Sequence, residues 1–342
     1  MNKNEVSWNL LQDFSYKFDQ INRYPNSEEK NKLIQNLSNI LKFPQKNIAL
    51  FAGGDQIIDL FCLDCMKMQK KRIGILRPSF EMFTLCAQKY NLEISYIDLD
   101  ERGQLPPSNQ LNQLLGNIDA LILCSPNNPT GTIIEPNKIS SMLNSFVGPV
   151  LIDQAYLEFS SFVEMCDLKN FALMRRNTVI LRTFSKAWGL ASARIGYALA
   201  EESTLARLGT LTLPFSISSQ SIFAANLVLT QLSRMQTCLE EFKKERKRAF
   251  ESLIRLGHFE KVLHSDANFF FAKPNGMTEQ IFKSSALPNI RQMSSFNQTN
   301  WSKNFIRIGI EYNPPVFNRT DSWRKGVSDE NQNIYWASNY NP

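Results

Sequence analysis

Seven short apolar runs, most of them followed by a stretch with helical spacing, constrain the fold of this chain more than any other feature. They read "NIALFAG", "RIGILRP", "EISYIDL", "ALILCSP", "PVLIDQAY", "NTVILRTF" and "RIGYALA". Strand-like runs alternating with 3.6-residue periodicity specify a mostly parallel sheet covered by helices on both faces. Beyond residue 217 the pattern changes. One long amphipathic helix is expected from about 217 to 256, after Pro214, and "KVLHSDANFFFAKP" and "NFIRIGI" then read as strands of a smaller unit. The expected fold class is therefore α/β, a large domain with a mostly parallel mixed sheet plus a smaller α+β domain. The expected boundaries are 1–35 for an N-terminal arm and part of the small domain, 36–235 for the large domain, 236–311 for the small one and 312–342 for a polar tail.

At 342 residues, 43% hydrophobic and 20% charged, the chain has the composition of a soluble globular protein with a sizeable core. No apolar run is long enough to cross a bilayer, and the start "MNKNEVSWN" lacks the charged-then-apolar order of a signal peptide. A cytoplasmic address without a membrane partner is the expectation. The net charge of +6 is modest, and its densest cluster, "KKERKR" at 243–248, is interleaved with Glu240, Glu241, Glu245 and Glu251. That describes a solvated helix face rather than a nucleic-acid patch. The cysteines sit singly in apolar settings except for "CLDC", Cys62 to Cys65, which falls inside an amphipathic helical run. Reduced core thiols are expected. The two histidines, His258 and His264, leave little from which to build a histidine triad or a metal centre, and no metal is expected.

Chemistry concentrates at the strand ends, where ligands sit in open α/β sheets. "AGGDQIIDL" puts Gly53 and Gly54 between a strand and a helix that starts near Asp55, so free N–H groups and the helix dipole face any anion there. In "CSPNNPTG" two prolines lock the backbone while Asn127 and Asn128 offer amide donors and acceptors. Asp153 ends an apolar strand in "LIDQAYLEF"; a buried carboxylate there needs a positively charged partner, and Tyr156 follows with a phenol hydrogen to donate. "RTFSKAWGLASARIGY" adds Thr183, Ser185 and Arg194, hydroxyls and a guanidinium suited to a phosphate. Lys186 remains, and a lysine desolvated beside cations can condense with a carbonyl.

The ordered set "RYP", "GGDQ", "PSFEMF", "SPNNPTG", "DQAYLEF", "TFSKAWGLASARIGY", "SDANFF" and "FIRIGI" resembles the fold type I pyridoxal phosphate enzymes of the class I/II aminotransferases. Within them the resemblance is closest to the histidinol-phosphate aminotransferase group, which includes threonine-phosphate decarboxylase, and it spans about residues 20 to 311. It implies pyridoxal 5'-phosphate bound covalently by Lys186, which also carries the proton between the substrate Cα and the cofactor. Asp153 would pair with the pyridine nitrogen, Asn128 and Tyr156 would hydrogen-bond the ring oxygen, and Phe83 would stack on the ring. Gly54, Asp55, Thr183, Ser185 and Arg194 would hold the phosphate, joined across a homodimer by Tyr24 of the neighbouring chain. Arg307 would bind the substrate carboxylate, with Asn268 and Arg291 at the same substrate. The partners implied are a small amino-group donor and a keto-acid acceptor.

The chain also departs from its group. "DEAY" reads "DQAY", with Gln154, and the acidic ending of the glycine turn reads "GGDQ". The substrate-covering loop "NENP" has no clear counterpart before "INRYP", and after Glu311 a polar, aromatic tail replaces the closing helix. Three functions are compatible with these residues. The first is transamination of an amino acid or amino-alcohol phosphate, the second a decarboxylase, cyclase or oxidase reaction with the same cofactor, and the third a non-catalytic binding role.

Overall fold

The computed structural model describes residues 3–14, 22–163, 167–276, 290–292, 298–310 and 312. The seven apolar runs become β1 (Ile48–Phe51), β2 (Arg72–Arg77), β3 (Glu93–Asp98), β4 (Ala120–Cys124), β5 (Val150–Asp153), β6 (Thr178–Thr183) and β7 (Gly196–Leu199). They form one sheet in the order β1-β7-β6-β5-β4-β2-β3. The block β3-β2-β4-β5-β6 is parallel, and β7 runs antiparallel to both β6 and β1. Every residue of β4, β5 and β6 is buried, because helices cover both faces of the sheet.

The covering helices include α1 (Ser27–Leu41), α2 (Gly54–Lys67), α3 (Glu81–Lys89), α4 (Ser108–Leu115) and α5 (Pro136–Ser145). Two of them have a readable start. Asn26 caps α1 by accepting from the Glu28 N–H at 2.5 Å, and proline opens α5. Cys62 and Cys65 are buried on α2, and burial pushes both thiols above their ordinary range, as suits core packing.

The single helix expected over 217–256 is two, Ser219–Leu229 and Leu232–Arg255. Thr230 and Gln231 interrupt it: their N–H groups donate three residues back, to the Leu227 carbonyl at 3.1 Å and the Val228 carbonyl at 2.9 Å, a tightened last turn, and Thr230 Oγ1 adds a bond to the Leu227 carbonyl at 2.7 Å. In the second helix Lys243, Lys244 and Arg248 do form a solvated face, each paired with a glutamate three residues earlier. Arg246 departs from that expectation. It is buried and donates to the carbonyls of Phe159 at 2.9 Å and Ala267 at 3.2 Å.

A second, antiparallel sheet follows, β10-β11-β9-β8, built from β8 (Phe259–Val262), β9 (Phe269–Pro274), β10 (Ile290–Gln292) and β11 (Ile306–Gly309). Leu263, Phe271 and Phe305 form its own apolar cluster, while Phe269 belongs to the main core. Beyond residue 310 only Tyr312 is described, so the expected tail lies outside the described residues.

Candidate active site

The floor of the site is made by strand ends. In the parallel register Cys124 lies opposite Asp153, and Asp153 opposite Leu181, so β4, β5 and β6 finish side by side at the middle of the sheet. Asp153 is 5% exposed. Burial pushes its carboxyl up to about 7, an effect the Ala155 N–H, donating at 2.8 Å, and the Lys186 charge only partly offset. Such a group is stabilised by any cation placed beside it.

Lys186 stands three residues beyond β6. The turn that carries it is fixed locally: the Ser185 N–H donates to Thr183 Oγ1 at 3.0 Å, and the Gly189 N–H donates to the Lys186 carbonyl at 2.9 Å. Its ammonium lies 5.5 Å from the Tyr156 ring centroid. The antiparallel return of β7 then brings the next motif back to the same edge. Gly196 pairs with Thr183 on one side and with Phe51 on the other, so Arg194, Thr183 and the Gly53–Gly54 turn converge. Arg194 is left-handed at φ 48° and pairs with Asp55 at 2.9 Å. Gly53 has φ 84°, a left-handed conformation that favours glycine, and a Cβ on it would stand 2.9 Å from the Arg194 guanidinium, so the two motifs meet closely. The opening N–H groups of α2 face this cradle, an anion site by geometry and dipole.

The two asparagines of "SPNNPTG" divide their work. Asn127 builds the loop: its amide donates to the Pro78 carbonyl and to Thr130 Oγ1, both at 3.0 Å, and it accepts from Ser79 Oγ at 2.9 Å. Asn128 faces the cavity, where its Oδ1 accepts from Arg307 Nη1 at 2.8 Å. Arg307 is 2% exposed, with its guanidinium 5.2 Å from the Phe269 ring centroid. A guanidinium so desolvated is a strong receptor for a carboxylate.

The roof comes from the chain's first residues, which the sequence reading left without a role. Lys3, Asn4 and Glu5 line the cavity. The Lys3 carbonyl accepts from Lys186 Nζ at 2.7 Å, Asn4 Nδ2 donates to the Tyr156 hydroxyl at 2.9 Å, and Asn268 Nδ2 donates to the Asn4 carbonyl at 3.0 Å. Trp8 nails the arm down by donating to the Ala187 carbonyl at 2.9 Å and packing edge-on against Phe242 and Tyr312. A covering segment before residue 21 was not expected; this is a correction. Its signal was the buried-type residues Trp8 and Leu10 in an otherwise polar start.

One cavity of about 570 Å³ thus gathers Lys186, Asp153, Asn128, Tyr156 and Arg307, and with them Gly54, Asp55, Thr183, Ser185 and Arg194. Other candidates lie elsewhere. Phe83 is fully buried behind the wall, 5.7 Å from Phe80, and Phe80 is the aromatic that lines the cavity. Phe80 is the extended residue that precedes α3, whereas Phe83 lies in the first turn of the helix and is buried in the core. Asn268 touches the site through Asn4. Arg291 lies on β10 in register with Arg307 on β11, a neighbouring strand position. Tyr24 is 77% exposed and stacks on Phe215 at 4.4 Å, in a separate surface groove.

The chain is similar to known proteins. The aminotransferase class I and II family matches residues 4–310. A histidinol-phosphate aminotransferase of Bacteroides thetaiotaomicron is 32% identical over 255 residues, 74% of this chain and 72% of that protein. The histidinol-phosphate aminotransferase of Sinorhizobium meliloti, solved in complex with pyridoxal-5'-phosphate, superposes with a TM-score of 0.76 at 19% identity, covering 91% of this chain and 86% of that one. The L-threonine-O-3-phosphate decarboxylase of Porphyromonas gingivalis does so with a TM-score of 0.71 at 23% identity, covering 85% and 89%.

Proposed function

The chain belongs to the class I and II aminotransferases, and on that premise we propose that it uses pyridoxal phosphate, held by Lys186, to exchange an amino group between an amino acid or amino-alcohol phosphate and a keto acid. The observation that carries this reading is the meeting of Lys186, Asp153 and Arg307 around one cavity beside the Gly54–Arg194 cradle. The residues fit the group. The cradle offers N–H groups, two hydroxyls and a guanidinium to a phosphate; the buried Asp153, with its carboxyl pushed up to about 7, offers its charge to a ring cation; Lys186 offers an amine. Pyridoxal phosphate, when bound, supplies a carbonyl that captures amines and a protonated ring that accepts the electron pair released at the substrate Cα.

The protein's own groups do the rest. Arg194, with the N–H groups at the start of α2, neutralises the phosphate and fixes its place. Asp153 keeps the ring nitrogen protonated. Tyr156 and Asn128 direct hydrogen bonds at the ring oxygen, and Phe80 offers an apolar wall beside it. Arg307 would hold the substrate carboxylate, or the phosphate of an amino-alcohol phosphate in its place, so that the Cα–H bond faces Lys186, which would take the proton from Cα. The arm over the site excludes water from this exchange.

We place the substrate in the histidinol-phosphate class, supported by the B. thetaiotaomicron relative. The likeness to the P. gingivalis decarboxylase favours loss of carbon dioxide as the second reading. The two sheets support a larger cofactor-binding unit and a smaller one, joined through helix Leu232–Arg255. A homodimer in which Tyr24 reaches the neighbour's phosphate is supported by the exposed apolar trio Tyr24, Leu213 and Phe215. We also place the protein in the cytoplasm; among the described residues no helix is long and apolar enough to cross a membrane. Incubation of the protein with histidinol phosphate, other amino donors and 2-oxoglutarate tests the reading. Keto product with glutamate supports it, carbon dioxide release moves the assignment to the decarboxylase, and neither product with any donor overturns it.

A further inference from the structure

We propose that Asn4 is a positioning residue that sets the direction of the Tyr156 hydroxyl proton, so that the N-terminal arm governs a hydrogen bond to the cofactor. The proposal rests on the function proposed above and concerns the same site. Asn4 Nδ2 donates to the Tyr156 hydroxyl at 2.9 Å, and the two residues are 2% and 4% exposed. A phenol oxygen that accepts from an amide keeps its own hydrogen for a second acceptor. Tyr156 lines the cavity beside Lys186, so the remaining hydrogen would be available to the ring oxygen of the cofactor when it is bound there.

The backbone that carries the amide is held by Asn268, which donates to the Asn4 carbonyl at 3.0 Å; in the cofactor-free protein Lys186 also donates to the Lys3 carbonyl at 2.7 Å. Asn4 has φ 56°, a left-handed conformation that asparagine and aspartate tolerate better than most residues. The chain therefore places at this bend the residue types that fit it, and of the two only the amide can donate to a phenol. Asparagine and aspartate differ here by one atom and by the direction of the hydrogen bond. An ionised aspartate accepts only, so it would draw the phenol hydrogen toward itself and away from the cofactor.

The test compares Asn4→Asp and Asn4→Ala, each in the wild-type and the Tyr156→Phe background, in protein loaded with pyridoxal phosphate. The readout is the pH midpoint of the visible absorbance band. Lys3, Glu5, Asp55, Asp153, Arg194 and Arg307 also face the cavity, which is why backgrounds are compared rather than single values. Losing the Tyr156 hydrogen bond makes the ring oxygen hold its proton more tightly. Asn4→Asp is expected to raise the midpoint by about one unit and Asn4→Ala by less, and the Asp shift should fall by at least about half when Tyr156 is already phenylalanine. A packing role alone would make alanine the worse change and leave the midpoint in place. Equal shifts in both backgrounds, or no shift with Asn4→Asp, would overturn the proposal while leaving the function intact. A wild-type protein that develops no visible band with pyridoxal phosphate would overturn both.

Discussion

The floor of the cavity is made by strands that pair with their neighbours in the sheet, whereas its roof is made by residues 3–8, held over the site by side chains from distant parts of the chain. The floor residues Asp153 and Thr183 are strand ends, fixed by the same ladder hydrogen bonds that define the sheet. The roof hangs on Trp8, on Asn4 and on the pair between Arg234 and Asp13 at 3.0 Å. Backbone pairing is cooperative with the whole fold, and a side-chain anchorage is not. The floor should therefore fail only with the fold, and the roof should loosen while the fold stands.

Four substitutions sharpen that comparison. Lys186→Ala removes the floor's chemistry without touching its ladder. Turnover should fall by at least about 10²–10⁴, the range for loss of a positioned proton carrier alone, with an unchanged urea midpoint. Trp8→Ala should cost about 3–5 kcal/mol if roof and core unfold together. If the roof opens alone, the urea midpoint should barely move while residues 3–14 become the first site of proteolysis, which is the outcome expected here.

Asp153→Asn is expected to improve stability where it harms function. The cofactor-free protein keeps on Asp153 a proton that the unfolded chain releases above about pH 4. The folded pKa is raised, so stability is lost as pH rises from about 4 through about 7, and the full penalty, at most about 4 kcal/mol, is present above that window. The asparagine variant should therefore resist urea better than wild type at pH 8 and equally well below pH 4, in the absence of cofactor. Equal stability at both pH values would mean that the carboxylate is already compensated. The smallest effect belongs to Tyr24→Phe, which should weaken cofactor binding by about 1.5–3 kcal/mol in a dimer and leave a monomer's binding unchanged.

The same contrast explains what the sequence revealed. Strand-end residues such as Asp153 and Lys186 were legible because the periodicity locates the ends of strands, and open sheets bind ligands there. Arg194 was legible as a cation but not as a residue facing Gly53, since only the antiparallel return of β7 brings the two together. An N-terminal arm was expected, but its place over the site was not legible, because nothing local in "NKNEVSW" says that it folds back over residue 186. Phe80 and Phe83 carried the same ambiguity on a smaller scale: both are aromatic and close in sequence, and only the place where α3 begins, after an extended Phe80, decides that Phe80 meets the cavity and Phe83 the core. Within Ser219–Arg255 the break is a tightened turn at Thr230 and Gln231, which carries a weaker sequence signal than glycine or proline.

The most direct test of the central claim is to mix the purified protein with pyridoxal phosphate, reduce it with borohydride and map the labelled peptide. The account predicts a single pyridoxyl group on Lys186, in the peptide that contains "TFSKAWGL". A label on any other lysine, or none at saturating cofactor, would contradict it.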